Sequence, residues 1–167
     1  VAFTGGYNLA NEYFNYTHPY GQWKDTGIRL EGEAVYSLTI TFLEMWNAVN
    51  DKDNNDTDFN KYLIKSDYSA KQKGFVQPYA DSPMDNEQVG EEVYISMVNK
   101  AEKYCWFISP YLIITDEMIH AMCLAAKRGV DVRIITPGIP DKKLVYGVTR
   151  SFYHGLVKHG VRIFEWT

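Results

Sequence analysis

Between Cys105 and Phe164 the chain alternates strand and helix signals, and this order is the tightest constraint on its fold. Cys105–Ile108 reads as a strand. Thr115-Asp116-Glu117 opens a helix with an N-cap and acidic first-turn residues, and Gly129 closes it. Val130–Ile135 is a β-branched strand, a helix near Lys142–His159 ends at Gly160, and Val161-Arg162-Ile163-Phe164 is the last strand. Strands joined through a helix lie parallel, because a tight turn can join only antiparallel neighbours. The expectation is an α/β fold with a mixed or parallel sheet flanked by helices.

The remaining segments are less regular. Val1–Thr4 reads as a strand closed by Gly5-Gly6, and Gly27–Glu31 alternates as a second strand. A helix over Glu33–Asn50 carries Val35, Leu38, Phe42, Met45 and Val49 at three- and four-residue steps, which predicts a core-facing stripe. Asp51–Asp58 is a polar, acidic loop without the glycine and glutamate an EF-hand loop requires. Phe75–Tyr79 reads as a short strand, and Glu87–Lys103 as a helix with Val89, Val93, Met97 and Ala101 on one face. Two lobes are expected, residues 1–65 and 74–167, joined by a polar linker at 66–73. Both ends of the sequence read as strand, so the fold is expected to be truncated at both ends.

Several functions are disfavoured by composition. A net charge of −4 with no basic block argues against nucleic acid. The four histidines are scattered, without metal-ligand spacing, and no metal or other cofactor is expected. Cys105 and Cys123 lie in apolar runs and read as buried thiols of a reducing compartment. No apolar run reaches the roughly 18 residues of a membrane span, so this segment reads as soluble. No catalytic set is complete: no histidine is followed two residues later by lysine, and there is no G-x-S-x-G elbow or phosphate-binding glycine loop. The strand ends that could line a ligand cleft are Ser109-Pro110-Tyr111 and Thr136-Pro137-Gly138.

Five segments, in order, resemble one family. Phe3-Thr4-Gly5-Gly6-Tyr7-Asn8 resembles the tail of the signature H-x-K-x4-D-x6-G-G-x-N of the phospholipase D superfamily. Gly5 through Tyr13 looks like the version found in bacterial cardiolipin synthases. Trp23 through Gly32 resembles their W-R-D-T-H-x-R-x-x-G segment, with Gly27 in place of the histidine. Ser109-Pro110-Tyr111-Leu112 resembles T-P-Y-F, Ala126 through Ile134 resembles A-x-R-G-V-D-V-R-I, and Gly160 through Glu165 resembles the strand leading to a second H-x-K.

The resemblance implies a parent enzyme of the bacterial cell membrane with two lobes, each giving one H-x-K to a shared cleft. That enzyme joins two phosphatidylglycerol molecules into cardiolipin and glycerol through a phosphohistidine. It implies that this chain lies between the two motifs, holds no catalytic residue and is inactive alone. Another phospholipase D-type phosphodiesterase is the alternative. Asn8 is the residue expected to touch phosphate, Gly5 and Gly6 would allow close backbone approach, and Tyr111 would line the cleft. The partners implied are phosphatidylglycerol and a membrane surface, with no nucleic acid. Exposed sheet edges predict self-association of the chain.

Overall fold

In the computed structural model, residues 1–6, 8–49, 58–65, 67–71, 73–82 and 86–167 are described. The chain forms two compact units, Val1–Leu9 with Asp25–Val89, and Ala10–Lys24 with Gly90–Thr167. Most of the predicted loop at Asp51–Asp58 lies outside the described residues.

The second unit holds the parallel sheet. Its strands are β3 (Tyr104–Ile108), β4 (Asp131–Pro137) and β5 (Arg162–Trp166), ordered β3-β4-β5 and parallel throughout, as the strand–helix alternation predicts. The helices between and before them are α2 (Val89–Lys100), α3 (Asp116–Lys127), α4 (Lys143–Ser151) and α5 (Tyr153–Lys158). The single helix expected over Lys142–His159 is thus two, parted at Phe152.

One face of the sheet carries the core. Val132 and Ile134 of β4 are fully buried with Val98, Met122, Ala125, Leu156 and Val161, and Cys105, Phe107 and Ile163 pack against them. The alternate residues point the other way. Tyr104, Trp106, Ile108 and Phe164 are exposed, so among the described residues helices cover one face rather than both. Cys123 is buried and Cys105 half-buried; both are free, and burial pushes both thiols up from their ordinary pKa.

Helices α3 and α5, which lead into β4 and β5, stop by the same device. Gly129 sits at φ +90° and Gly160 at φ +96°, the left-handed region that suits glycine. After α3 the Gly129 amide donates to the Ala126 carbonyl and the Val130 amide to that of Ala125. After α5 the Gly160 amide donates to Val157 and the Val161 amide to Leu156. These paired bonds form a Schellman turn, and in each the next residue is a buried valine. Arg128 adds a tie to α2, its Nη2 donating to the carbonyls of Val98 (3.1 Å), Asn99 (3.1 Å) and Ala101 (3.4 Å).

The aromatic stretch Ala10–Lys24 belongs to this same unit and is pinned by Asn15. Its side chain donates to the Trp23 carbonyl at 2.9 Å and accepts from the Trp23 amide at 2.7 Å. Tyr13 and Trp23 pack with ring centroids 4.4 Å apart. Trp166 of β5 donates its indole N–H to the Gln22 carbonyl at 3.0 Å.

The first unit has an antiparallel pair, β1 (Ala2–Gly5) with β2 (Gly27–Leu30), in register from Ala2↔Leu30 to Gly5↔Gly27. Helix α1 (Ala34–Val49) follows β2, and a short 3-10 turn spans Phe59–Tyr62. The expected strand at Phe75–Tyr79 does not form. Pro78 removes a backbone donor there, and Phe75 is fully exposed with no sheet to join.

The expected core stripe of α1 is also corrected. Phe42, Met45 and Val49 are exposed while Val35 and Leu38 are half-buried, and the one buried residue of the helix is Leu43, on a different face with half-buried Tyr36, Ile40 and Asn47. Helix α2 shows a similar offset: Met97 is exposed and Val98 fully buried.

The glycine turns generate a prediction. Gly160→Ala should destabilise the chain by about 1–2 kcal/mol, because a Cβ is strained in the left-handed region. Gly147 lies inside α4 with open space around it. Gly147→Ala should therefore stabilise by about 0.5–1 kcal/mol. Urea unfolding of both variants checks the opposite signs.

Candidate functional site

The glycine pair lies where β1 ends. Gly5 is the last paired residue of the strand, opposite Gly27. The Gly6 amide donates to the Thr26 carbonyl at 3.3 Å, and the Thr26 amide donates to Asp25 Oδ1 at 2.8 Å. Asn8 is exposed just beyond this turn. Gly5, Gly6 and Asn8 belong to the first unit, and Tyr111 to the second.

Tyr111 follows β3, where the chain bends away from the sheet. The Ser109 amide donates to the Ile135 carbonyl at 3.1 Å, and Ser109 Oγ to the Tyr111 carbonyl at 2.8 Å. The Leu112 amide then donates to the buried Thr149 hydroxyl at 3.0 Å, which ties the bend to α4. The Tyr111 hydroxyl donates to Asp141 Oδ2 at 2.6 Å, and Lys142 Nζ stands 5.3 Å from the ring centroid. Asp141 stabilises the protonated phenol, and the Tyr111 pKa is pushed up to about 12.

A second polar network, unforeseen in the sequence, joins the carboxyl ends of β4 and β5. Glu165 Oε1 accepts from the Tyr146 hydroxyl at 2.9 Å and from that of Tyr153 at 3.4 Å. Tyr153 Oη also lies 2.5 Å from Oγ1 of the buried Thr136, the register partner of Glu165. Arg150 Nε stands 3.9 Å from the same Glu165 oxygen. Five residues thus gather on the rim where open parallel sheets bind ligands. No short motif advertises this set, because its members are scattered over some thirty positions.

The opposite end of the sheet carries structural charge. Asp131 accepts from Arg133 Nε at 2.9 Å, pairs with Arg162, and is held down to about 2 by these hydrogen bonds. Arg133 also stacks over Trp106, 4.6 Å from its centroid. The histidines are peripheral. His154 is exposed, and His159 Nδ1 lies 2.7 Å from the Gly155 carbonyl of its own helix. A hollow of about 470 Å³ between α2 and α3 is lined by Ile95, Asn99, Asp116, Glu117, His120, Ala121 and Leu124, and none of the expected site residues lines it.

The Tyr111–Asp141 bond predicts alkaline behaviour. A tyrosine whose folded pKa is raised above its ordinary value of 10 stabilises fully below pH 10, and that stabilisation fades as pH rises toward about 12. Tyr111→Phe should make the fall in stability over this range shallower in urea melts. Tyr146 and Tyr153 are also raised and retain part of the slope.

Residues 94–167 match the family profile described as "Cardiolipin synthase, PLD-like domain". All of the chain aligns with an uncharacterized protein of Streptococcus mutans serotype c at 48% identity, covering 35% of that protein. It is 36% identical to a cardiolipin synthase of Alkalihalophilus pseudofirmus over 99% of the chain and 32% of the relative. It is 34% identical to one from Halalkalibacterium halodurans over 100% of the chain and 33% of the relative. The chain therefore spans about a third of the length of these relatives. No solved structure matches it.

Proposed function

We propose that this chain is one segment of a phosphatidyltransferase, on its similarity to bacterial cardiolipin synthases and the match of residues 94–167 to the profile described as "Cardiolipin synthase, PLD-like domain". The parent enzyme transfers a phosphatidyl group between two phosphatidylglycerol molecules, giving cardiolipin and glycerol. The observation that carries this reading is collinear similarity along the whole chain, including its irregular first unit, to relatives named cardiolipin synthase.

The chemistry proceeds by two displacements. A histidine nitrogen attacks phosphorus, and the bond from phosphorus to the glycerol oxygen breaks. A second histidine gives a proton to the departing glycerol. The hydroxyl of the second lipid then loses its proton to that histidine and attacks phosphorus, and the phosphorus–nitrogen bond breaks. Neither histidine is carried in an H-x-K by these 167 residues.

What this chain contributes is grip. The Gly6 amide is engaged with Thr26, so the donor offered to a phosphoryl oxygen is the Asn8 side-chain amide. Gly5 and Gly6 keep side chains out of the approach. Tyr111, its hydroxyl spent on Asp141, lines the cleft with its ring. The two lobes proposed are residues 1–65 and 74–167, joined through 66–73. Among the described residues no helix is long and apolar enough to cross a membrane. Attachment of the parent to the bacterial membrane therefore rests on other segments or on surface contact. Exposed aromatic residues on the open sheet face, with β3 and β5 at its edges, support self-association of the isolated chain.

Incubated with phosphatidylglycerol, the full-length protein should release glycerol and form cardiolipin, while the 167-residue chain should do neither. Turnover by the isolated chain would end the claim that it lacks the nucleophile. In the full-length enzyme Asn8→Ala should lower kcat about 10²–10³-fold, the usual loss for one oxyanion donor. A strictly monomeric light-scattering profile of the chain at high concentration would refute self-association.

A further inference from the structure

The stretch Ala10–Lys24 is held as a closed loop. The Tyr13 amide donates to the Ala10 carbonyl at 3.2 Å, the Asn15 amide to Glu12 at 3.1 Å and the Tyr16 amide to Asn11 at 2.9 Å. Asn15 sits at φ +56°, and both polar atoms of its side chain are spent on the Trp23 backbone. From Tyr13 to Trp23 the loop contains five aromatic residues and no Asp, Glu, Lys or Arg. Tyr13 and Trp23 are half-buried against each other. Phe14 and Tyr16 turn the other way, 51% and 79% exposed, with their rings stacked 6.2 Å apart.

This loop is fixed to the carboxyl rim of the parallel sheet, within one compact unit. The Gln22 carbonyl accepts from the indole of Trp166, the last residue of β5. Gly21 lies against Ile139, just past β4: a Cβ on Gly21 would stand 3.2 Å from Ile139 Cδ1. Tyr13 lies close enough to Tyr111, which follows β3, to oppose its ionisation. The loop therefore touches the ends of all three strands, at the edge where open parallel sheets take their ligands.

We propose that the Phe14–Tyr16 edge of this loop is a membrane-contact surface, which enters the headgroup layer of the bilayer beside the sheet rim that meets the lipid. The proposal rests on the transferase reading above and names the surface by which the parent reaches its substrate. The chemistry is that of a bilayer interface. Phe14 supplies an apolar ring, and Tyr16 a ring with a polar tip, the combination that settles at headgroup level. With no charged side chain from Tyr13 to Trp23, entry desolvates no ion, and nothing in that stretch repels anionic phosphatidylglycerol. The loop is already closed by Asn15, so little backbone entropy is lost when it binds.

The test mixes the 167-residue chain with vesicles of phosphatidylglycerol and phosphatidylcholine and reads the bound fraction by sedimentation. Phe14→Ser with Tyr16→Ser should lower the partition coefficient at least about tenfold, since two rings no longer leave water. Phe14→Trp with Tyr16→Trp should keep or raise it. Both variants should melt like wild type, because the rings are exposed. The loss should be the same in pure phosphatidylcholine and in high salt, because the loop offers no charge to screen. An unchanged partition coefficient in the serine variant overturns the proposal, as does a wild-type chain that binds no vesicles. An equal loss from Tyr104→Ser with Ile108→Ser on the open sheet face also overturns it. So does a serine variant that loses self-association and keeps vesicle binding, which assigns the loop to protein contact. In the full-length protein, vesicles should slow hydrogen exchange across residues 13–20, and exchange there that vesicles leave unchanged counts against the surface. None of these readouts needs turnover. Full-length protein that makes no cardiolipin overturns the transferase reading, and the partition measurements still decide the membrane contact.

Discussion

The parallel sheet depends on how two helices end. Each must stop, reverse and deliver the next residue into the core. Gly129 and Gly160 make the reversal in the left-handed region, and Val130 and Val161 follow into burial at 6% and 2% exposure. The paired amide-to-carbonyl bonds of each turn satisfy helix-end carbonyls that would otherwise be buried without partners. Because the two turns are alike, β4 and β5 start from equivalent positions. β5 nonetheless pairs two residues further along β4, from Arg133↔Arg162 to Pro137↔Trp166. The Glu165 network sits at the far end of β4 and β5, and Tyr111 follows β3 at the same end of the sheet.

This part of the fold was legible in the sequence for a physical reason. Strand–helix alternation admits one pairing, and Gly-Val after each helix marks both the stop and the re-entry. Helix α1 was not legible in the same way. Its strongest apolar stripe, Val35 to Val49, identifies a face that favours cover, yet Phe42, Met45 and Val49 stay exposed while Leu43 of the neighbouring stripe is buried. Periodicity reports that a helix has an apolar side; it does not report which segment meets that side. The exposed face of the sheet, with Tyr104, Trp106 and Ile108, makes the same point. All-parallel sheets are ordinarily covered on both faces, and this chain spans about a third of its relatives' length.

The candidate site was legible in its types and not in its connections. Gly5, Gly6 and Asn8 stand out by their resemblance to the family signature, and Tyr111 as a residue at a strand end. Their partners do not. Asp141 lies thirty residues from Tyr111, and the bond between them depends on where α4 begins. Thr149 in mid-helix resembles any polar residue until the Leu112 amide is seen to need an acceptor. Asp25 lies within a matched segment, yet spacing alone says nothing about a carboxylate lying on a glycine nineteen residues earlier.

Two kinds of glycine therefore do different work here. Gly129 and Gly160 are demanded by backbone dihedral, and another residue would strain the chain wherever its neighbours stood. Gly6 is only crowded by a neighbour: a Cβ there would stand 2.8 Å from Asp25 Oδ1, the far end of an exposed side chain that can move aside. The first kind belongs to folding, since it fixes strands whatever the ligand. The second marks a local packing preference at the end of β1, and a contact with an exposed carboxylate adds little stability.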